Sequence, residues 1–250
     1  MNKMKALEIR INTNKNAEKD FDEWSINLIP ELPLRANILD LGCGTGKQVN
    51  IFSQFFDKDS RIIALDKSLE NIKILEKRYT DLPKLELINA DFKHFSKDMK
   101  FKDNFFDIIY SFYALYYAED LEGVMRKVYN LLKGGGRFWT VSPYIGTNDE
   151  IFRILTKFYQ LESKVMYSIE KFYRDIISLC KEVGFKEIKI DIFKNKIIYE
   201  NKKSLIKYLQ NTTFYNKEYE DKILTEIDKL FFNTTPFRLS KNAISIKVKK

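Results

Sequence analysis

The segment Ile38–Gly46, ILDLGCGTG, constrains the fold of this chain more than any other. Ala36–Leu41 is a short apolar run that stops at glycines, and Lys47–Phe56 follows with the pattern of a helix. A buried strand that turns through glycines into a helix is typical of a parallel sheet covered by helices. The glycines allow a tight turn and close approach of a ligand to the backbone, and the helix N-terminus offers free N–H groups. The segment therefore predicts a ligand-binding turn.

The same alternation continues for about a hundred residues. One helix is predicted to begin after Ser68, its N-cap, and to end at Tyr79, and a second is predicted over Glu119–Leu132. Gly134–Gly136 is predicted to break the chain before the fifth strand. The strands after the first are predicted at Arg61–Leu65, Leu85–Ala90, Phe105–Phe112 and Arg137–Ser142. Strands that alternate with helices predict an α/β fold with a doubly wound, mainly parallel sheet. Ligands of such sheets lie beyond the carboxyl ends of the strands.

The remainder of the chain departs from this rhythm. Helices are predicted at Ala17–Leu32, Glu150–Leu161, Ile169–Val183 (ended by Gly184), Lys203–Tyr208 and Tyr219–Phe232. Strands are predicted at Phe185–Phe193 and Ala243–Val248, and the last strand is expected to be antiparallel. We therefore expect one domain over residues 1–250 with a seven-stranded sheet. Its core would be about 17–145 and 169–250. Insertions after the fifth strand and between the last two strands, about 145–168 and 197–236, would form a helical cap over the carboxyl-end face.

The composition is that of an ordinary globular protein, but its charge requires interpretation. The formal net charge is +8, which favours a nucleic-acid partner. However, the basic residues are mostly Lys scattered among Asn and Ile, which indicates a compositional bias. No run approaches the ~18 apolar residues of a membrane span, so a cytoplasmic protein without a membrane partner is expected. Cys43 and Cys180 are expected to be free thiols, and no metal site is predicted.

Acidic residues accompany three successive strands. Asp40 precedes the first glycine, Asp66 ends the second strand, and Asp91 follows the third. With the glycine loop, these acids would converge on one crevice, where a carboxylate can accept hydrogen bonds from ribose hydroxyls. The segments that carry the pattern are ILDLGCGTGKQV, IIALDKS, LINADF and FDIIYSFYALYYAEDLEGVMRKVYNLLKGGGRFWTVSP.

These segments resemble, in order, the motifs of class I S-adenosylmethionine-dependent methyltransferases of the small-molecule type, over about residues 17–145 and weakly 170–193. The resemblance implies a Rossmann-like fold and S-adenosyl-L-methionine as cofactor, with S-adenosyl-L-homocysteine as product. It implies that Asp40 supports the methionine amino group and that Asp66 holds the ribose. The other implied cofactor contacts are the backbone of Gly42, Cys43, Gly44 and Gly46; Lys67, Asp91 and Phe92 at the adenine; and Ser111, Phe112 and Tyr116 near the methionine and sulfonium.

The sequence identifies the methyl acceptor much less clearly than the cofactor. The expected reaction is in-line SN2 transfer of a methyl group to an N or O atom of a small metabolite, with a tRNA or rRNA methyltransferase as the alternative. Tyr116, Tyr113 and Tyr144 are the candidate catalytic residues, whereas His94, the sole histidine, is expected in a solvated loop. A nicotinamide oxidoreductase, a polyamine synthase and a catalytically silent binding protein remain open, as does the oligomeric state.

Overall fold

The computed structural model describes residues 16–79, 84–233 and 236–250. They form two compact units. We name residues 22–142, 171–191 and 244–250 the sheet unit, and residues 16–21, 143–170 and 192–243 the insertion unit. The predicted cap segments, 145–168 and 197–236, lie within the insertion unit. That they cover the carboxyl-end face of the sheet stays a prediction.

The sheet unit is built on a seven-stranded mixed sheet, as the sequence predicts. Its strands are β1 (Asn37–Leu41), β2 (Arg61–Asp66), β3 (Leu85–Asn89), β4 (Phe106–Phe112), β5 (Leu132–Pro143), β6 (Lys186–Phe193) and β9 (Ala243–Lys249), in the spatial order β3-β2-β1-β4-β5-β9-β6. The first five strands are parallel. β9 is antiparallel to β5, because the Gly135 amide donates to the Lys250 carbonyl and the Lys250 amide donates to the Gly136 carbonyl.

The helices that accompany this sheet are α1 (Phe21–Ile26), α2 (Lys47–Ser53), α3 (Leu69–Arg78), α4 (Phe92–Lys97), α5 (Leu121–Leu131) and α8 (Phe172–Val183). Two predicted boundaries are confirmed by their caps. The Ser68 side chain accepts from the Asn71 amide at the start of α3, and Gly184 ends α8 in the left-handed conformation. The apolar face of α5 is buried through Val124, Met125, Val128 and Leu131. The strand order reverses between β1 and β4, so the loops after these strands flank the switch point.

One predicted boundary is wrong, because β5 passes through Gly134–Gly136 rather than beginning after them. The register between β4 and β5 shifts there: Phe106 pairs with Leu132, whereas Ile108 pairs with Arg137. The glycines therefore lie in an irregular stretch of the strand, where β-bulges place extra residues. A bulge keeps the pairing with the neighbouring strand, and for that reason it does not end the strand as a turn would.

The insertion unit has its own apolar core. Its helices are α6 (Asp149–Leu155), α7 (Ser163–Glu170), α9 (Lys202–Leu209) and α10 (Glu220–Asn233). The buried residues of this core include Ile151, Leu155, Leu205, Ile223 and Ile227. No helix in the described part of the chain is long and apolar enough to cross a bilayer.

The helical segments differ in detail from the prediction. The predicted helices Lys203–Tyr208 and Tyr219–Phe232 are present as α9 and α10, but β7 (Lys196–Tyr199) was not predicted and pairs with β8 (Phe237–Ser240) as a small antiparallel sheet. The expected helix Ile169–Val183 is divided into α7 and α8, and the expected helix Ala17–Leu32 shortens to α1. Strand and helix cannot be distinguished in short apolar runs from their pattern alone, because burial on several sides removes the periodicity.

Candidate functional site

The loop between β1 and α2 turns at the carboxyl edge of the sheet. The amides of Gly42 and Cys43 both donate to the Leu65 carbonyl, at 2.7 and 3.0 Å, which ties the loop to the end of β2. Gly42 has φ +83°, and a Cβ atom there would lie 2.3 Å from the Cβ atom of Ala114. Gly44 has φ +55°, but a Cβ atom there would meet nothing within 4 Å. The loop is thus packed against the protein at Gly42 and open at Gly44, while Gly46 directly precedes α2.

Asp40 lies on β1, two residues before Gly42, and is almost fully buried, with 1% of its surface exposed. Its Oδ2 atom has no hydrogen-bond partner among the residues that the structure describes. Burial raises the pKa of Asp40 well above its usual value, Tyr110 lowers it, and the charge of Asp66 raises it further. A buried carboxylate without a cationic partner is costly, so this position is suited to receive a cation from a ligand.

Asp66 ends β2 and holds the glycine loop from the other side. Its Oδ2 atom accepts from the Gly44 amide at 2.8 Å, and its Oδ1 atom accepts from the Ser68 amide at 2.8 Å and from the Asn71 side chain at 3.2 Å. A carboxylate offers about four acceptor directions, so one direction at Oδ2 remains after these three donors. Next to it, the Lys67 ammonium lies 5.8 Å from the centre of the Tyr117 ring.

The region after β3 carries the residues predicted at the adenine. Asp91 is the N-cap of α4, and its Oδ1 atom accepts from the His94 amide at 2.7 Å. The ring of Phe92 packs close to Gly42, since its Cζ atom would lie 3.5 Å from a Cβ atom there. His94 is exposed and pairs with Asp98 at 3.1 Å. An open cavity of about 660 Å³ is lined by Lys67, Ser68, Asn89, Ala90, Asp91 and His94.

Two of the predicted cofactor contacts, Ser111 and Phe112, lie at the end of β4, and their side chains pack within the protein. The buried Ser111 hydroxyl donates to the Leu41 carbonyl at 2.7 Å and so joins β4 to β1. The Phe112 ring lies in an aromatic cluster, 5.4 Å from the ring of Phe52 and 4.8 Å from that of Trp139. Any contact that Ser111 or Phe112 makes with a ligand would therefore involve the backbone rather than the side chain.

Three tyrosines follow β4. Tyr113 has φ +53°, a conformation that non-glycine residues adopt mainly where the surrounding structure imposes it. Although 40% of Tyr113 is exposed, desolvation of its hydroxyl, followed by the charge of Asp22, raises the pKa further above neutral pH. The Tyr116 ring lies 4.6 Å from that of Tyr117 and 5.8 Å from that of Phe172.

The third candidate catalytic residue, Tyr144, belongs to the insertion unit. Its amide donates to the Asn242 carbonyl at 3.1 Å. It lines a cavity of about 440 Å³ together with Glu18, Lys19, Ile145, Lys194, Asn195, Lys196, Ser240 and Asn242. Within the described residues, no group of His, Cys, Asp or Glu side chains is arranged to hold a metal ion.

Comparison with known proteins is consistent with this geometry. Residues 39–140 match the family model described as a methyltransferase domain. A protein of Invertebrate iridescent virus 6 named as a methyltransferase is 24% identical over 233 residues, which cover 88% of this chain and 84% of that protein. The sterol 24-C-methyltransferase of Aspergillus fumigatus is 35% identical over 125 residues. That match covers 47% of this chain and only 32% of the fungal enzyme.

The fold is also found among solved structures. Phosphoethanolamine N-methyltransferase 2 of Haemonchus contortus, solved in complex with S-adenosyl-L-methionine, matches with a TM-score of 0.56 and 16% identity. The match covers 92% of this chain and 52% of that one. The ordered motifs, the strand order and the matching family model lead to one assignment. Residues 39–140 match the methyltransferase domain family, and the chain has the fold of the class I S-adenosylmethionine-dependent methyltransferases.

Proposed function

We propose that the chain binds S-adenosyl-L-methionine along the loop Gly42–Gly46 and transfers its methyl group to a small-molecule acceptor. The observation that carries this proposal is a buried carboxylate with one unpartnered oxygen, followed in the chain by a glycine loop that is open at Gly44. Asp40 Oδ2, at the end of β1, has no hydrogen-bond partner among the described residues, and a Cβ atom at Gly44 would meet nothing within 4 Å. A ligand that places a cation at Asp40 and a flat sugar edge at Gly44 would fit both features.

Different residues of the chain would bind different parts of the cofactor. Asp40 would attract the methionine ammonium, and the remaining acceptor direction of Asp66 would take one ribose hydroxyl. The backbone of Gly42, Cys43, Gly44 and Gly46 would lie along the methionine and ribose. Lys67, Asp91 and the Phe92 amide would border the adenine in the cavity described above, Ser111 and Phe112 would contribute backbone near the methionine, and Tyr116 would flank the sulfonium.

The reaction asks for alignment more than for acid–base chemistry. The bound cofactor supplies a methyl group that is already activated on a sulfonium. The protein must therefore place a nucleophile in line at about 3–3.5 Å and exclude water. Tyr113 would serve as an orienting or aromatic group rather than as a general base, because its raised pKa keeps the hydroxyl protonated. Aromatic faces such as that of Tyr116 favour a nearby cation.

An N or O atom of a small metabolite is the proposed methyl acceptor. The insertion unit supports a small acceptor, since it has its own core and a cavity of about 440 Å³, which is within the range of small-molecule sites. Several groups around that cavity are polar or charged, among them Lys19, Lys194 and Asn195. Polar lining of this kind suits a metabolite with hydrogen-bonding groups.

Methylation of carbon in a sterol-like acceptor is the second candidate. It is favoured by the sterol 24-C-methyltransferase of Aspergillus fumigatus, which is 35% identical to this chain over 125 residues. Aromatic side chains beside the reaction centre would also suit it, because an alkene that accepts a methyl cation becomes positively charged. However, the match covers only 47% of this chain, so it bears on the cofactor domain more than on the acceptor.

The test is to incubate the purified chain with methyl-labelled cofactor and fractionated cell extract, with and without RNase. Label in a water-soluble small molecule supports the proposal, and label in a sterol fraction supports the second candidate. RNase-sensitive label would instead support an RNA methyltransferase. At a cofactor concentration near the wild-type dissociation constant, Asp66→Ala should reduce the labelling strongly, whereas Asp59→Ala should not, because Asp59 is a partly exposed acid of the same unit that pairs with Lys84. No transfer to any fraction, with S-adenosyl-L-homocysteine still bound, would refute the proposed activity.

A further inference from the structure

Tyr110 is a polar residue at the centre of the buried sheet that the cofactor contacts described so far do not use. It lies on β4 and is fully buried, at 0% exposure. In the register of the two parallel strands it is the direct partner of Asp40 on β1. Its ring is held edge-on by Phe52, at 5.5 Å between ring centres, and by Phe112, at 6.0 Å. Tyr110 is thus rigidly placed beside the carboxylate of Asp40.

The hydroxyl of Tyr110 is unusual because it lacks an ordinary partner. Neither this hydroxyl nor Asp40 Oδ2 has a hydrogen-bond partner within normal distance limits among the described residues. An unsatisfied buried hydroxyl costs about 1–3 kcal/mol, so a phenylalanine would pack here at lower cost. Because neither polar group forms a hydrogen bond to any other described residue, we expect them to interact with each other and with a bound ligand.

The charged and titratable groups around Asp40 increase its need for a donor. Asp66, at the end of β2, adds a like charge, and Cys43, in the loop, is a buried thiol whose pKa is raised by burial and by Asp40 and Asp66. Within the described residues no cation forms an ion pair with Asp40. The Tyr110 hydroxyl is therefore the neighbouring group that can stabilise its ionised form.

We propose that Tyr110 is a positioning residue for the cofactor's methionine ammonium and acts through Asp40. Its hydroxyl donates toward the Asp40 carboxylate, which favours the ionised form of that carboxylate and fixes the direction of its free oxygen. The inference rests on the proposed placement of the cofactor and adds a residue to it. It assigns specificity for the amino acid end of the cofactor to a pair of side chains on adjacent strands.

The expected pH dependence follows from the direction of each effect. Burial raises the pKa of Asp40 and the Tyr110 hydroxyl lowers it. As the pH falls through this pKa, Asp40 is protonated and its attraction for an ammonium is lost. Without the hydroxyl, the pKa of Asp40 is higher, so the loss begins at a higher pH. The affinity for a ligand that lacks an ammonium group should not depend on the protonation of Asp40.

The experiment compares two ligands by isothermal titration calorimetry between pH 5 and 8. S-adenosyl-L-homocysteine carries the amino acid, whereas 5′-methylthioadenosine keeps the adenosine and thioether without it. Tyr110→Phe should weaken the first ligand about tenfold at pH 7, as expected for loss of a hydrogen bond to a charged group. It should also shift the midpoint of the pH profile upward by about one unit, and leave the second ligand within about twofold.

Tyr129→Phe is the matched control. Tyr129 lies on α5 of the same unit, and its ring packs on that of Phe185 at 5.0 Å between ring centres. This variant should leave both affinities and the pH profile unchanged. In the Asp40→Asn background, Tyr110→Phe should have no further effect on affinity, because the residue acts through the carboxylate.

Several results would overturn the inference. An equal loss of affinity for both ligands in Tyr110→Phe would mean that the hydroxyl has only a structural role, as would an unchanged pH profile. The wild-type protein provides a test that does not depend on the variant folding: its preference for S-adenosyl-L-homocysteine over 5′-methylthioadenosine must decrease on acidification. A constant preference would refute the inference together with the Asp40–ammonium contact but leave cofactor binding intact, whereas failure to bind either ligand would refute the proposed function as a whole.

Discussion

Gly44→Ala is the substitution that most directly tests where the cofactor lies. The new Cβ atom would meet nothing of the protein within 4 Å, so it adds no clash to the folded chain. With φ at +55°, the remaining cost is that of a left-handed residue, about 1–2 kcal/mol. For a chain of this size, that cost corresponds to a decrease in Tm of about 2–8 °C. The variant should therefore fold.

The same Cβ atom would occupy the space proposed for the cofactor. Forcing an extra carbon into a close contact costs about 1–3 kcal/mol, which is roughly a 5- to 150-fold loss of affinity. Thermal unfolding and calorimetry with S-adenosyl-L-homocysteine measure the two effects separately. We expect a small decrease in Tm and at least a fivefold loss of binding.

Gly42→Ala supplies the comparison. Its Cβ atom would lie 2.3 Å from that of Ala114, so the backbone must move, and we expect a larger decrease in Tm than for Gly44→Ala. If Gly44→Ala bound the ligand with wild-type affinity, the cofactor would not lie against this loop. The reasoning would also fail if Gly44→Ala were the less stable of the two variants.

Three further predictions concern single residues of the two units. Asp66→Ala should weaken S-adenosyl-L-homocysteine by about 10- to 100-fold, the usual effect of a charge-assisted hydrogen bond, and an unchanged dissociation constant would contradict the ribose assignment. Although burial raises the pKa of Glu150, hydrogen bonds from Ser240 and Lys196 lower it overall. Its contribution to stability is therefore present above its unfolded pKa of about 4.3 and is lost as the pH falls through the lower folded value. The Tm of the wild type should thus fall more steeply than that of Glu150→Gln below about pH 5, and parallel pH profiles would argue against this. Burial raises the pKa of Cys43, so iodoacetamide at pH 8 should label it far more slowly in the folded than in the unfolded chain, as peptide mass spectrometry would show.

Local signals in the sequence were sufficient for the elements of the sheet unit. The apolar runs of β1 to β4, the serine before α3 and the glycine after α8 each act through their nearest neighbours in the chain. The same is true of Gly42–Gly46, where a strand end, a tight turn and a helix start follow one another directly. Strand boundaries were therefore predicted to within a residue or two, except at β5, whose glycines form a bulge only because β4 lies beside them.

The partners of side chains far apart in the sequence were decided by the tertiary structure. Ser111 was predicted to line the cofactor, yet its hydroxyl donates to the carbonyl of Leu41, which is 70 residues away. The sequence places Tyr110 only within the predicted strand Phe105–Phe112, and nothing near it along the chain indicates a contact with Asp40. Asp40 becomes its neighbour only through the register of β1 and β4.

The glycine loop and its acids by themselves predicted a ligand-binding turn at the carboxyl edge of a parallel sheet, with an adenosine cofactor as its ligand. That information is local, because a turn and a helix start depend on adjacent residues. The tertiary structure decided which acid is buried without a partner, which oxygen of Asp66 remains available and which tyrosine lies beside Asp40. Burial and strand register join distant segments, and the free energies of buried charges depend on those segments rather than on neighbours in sequence.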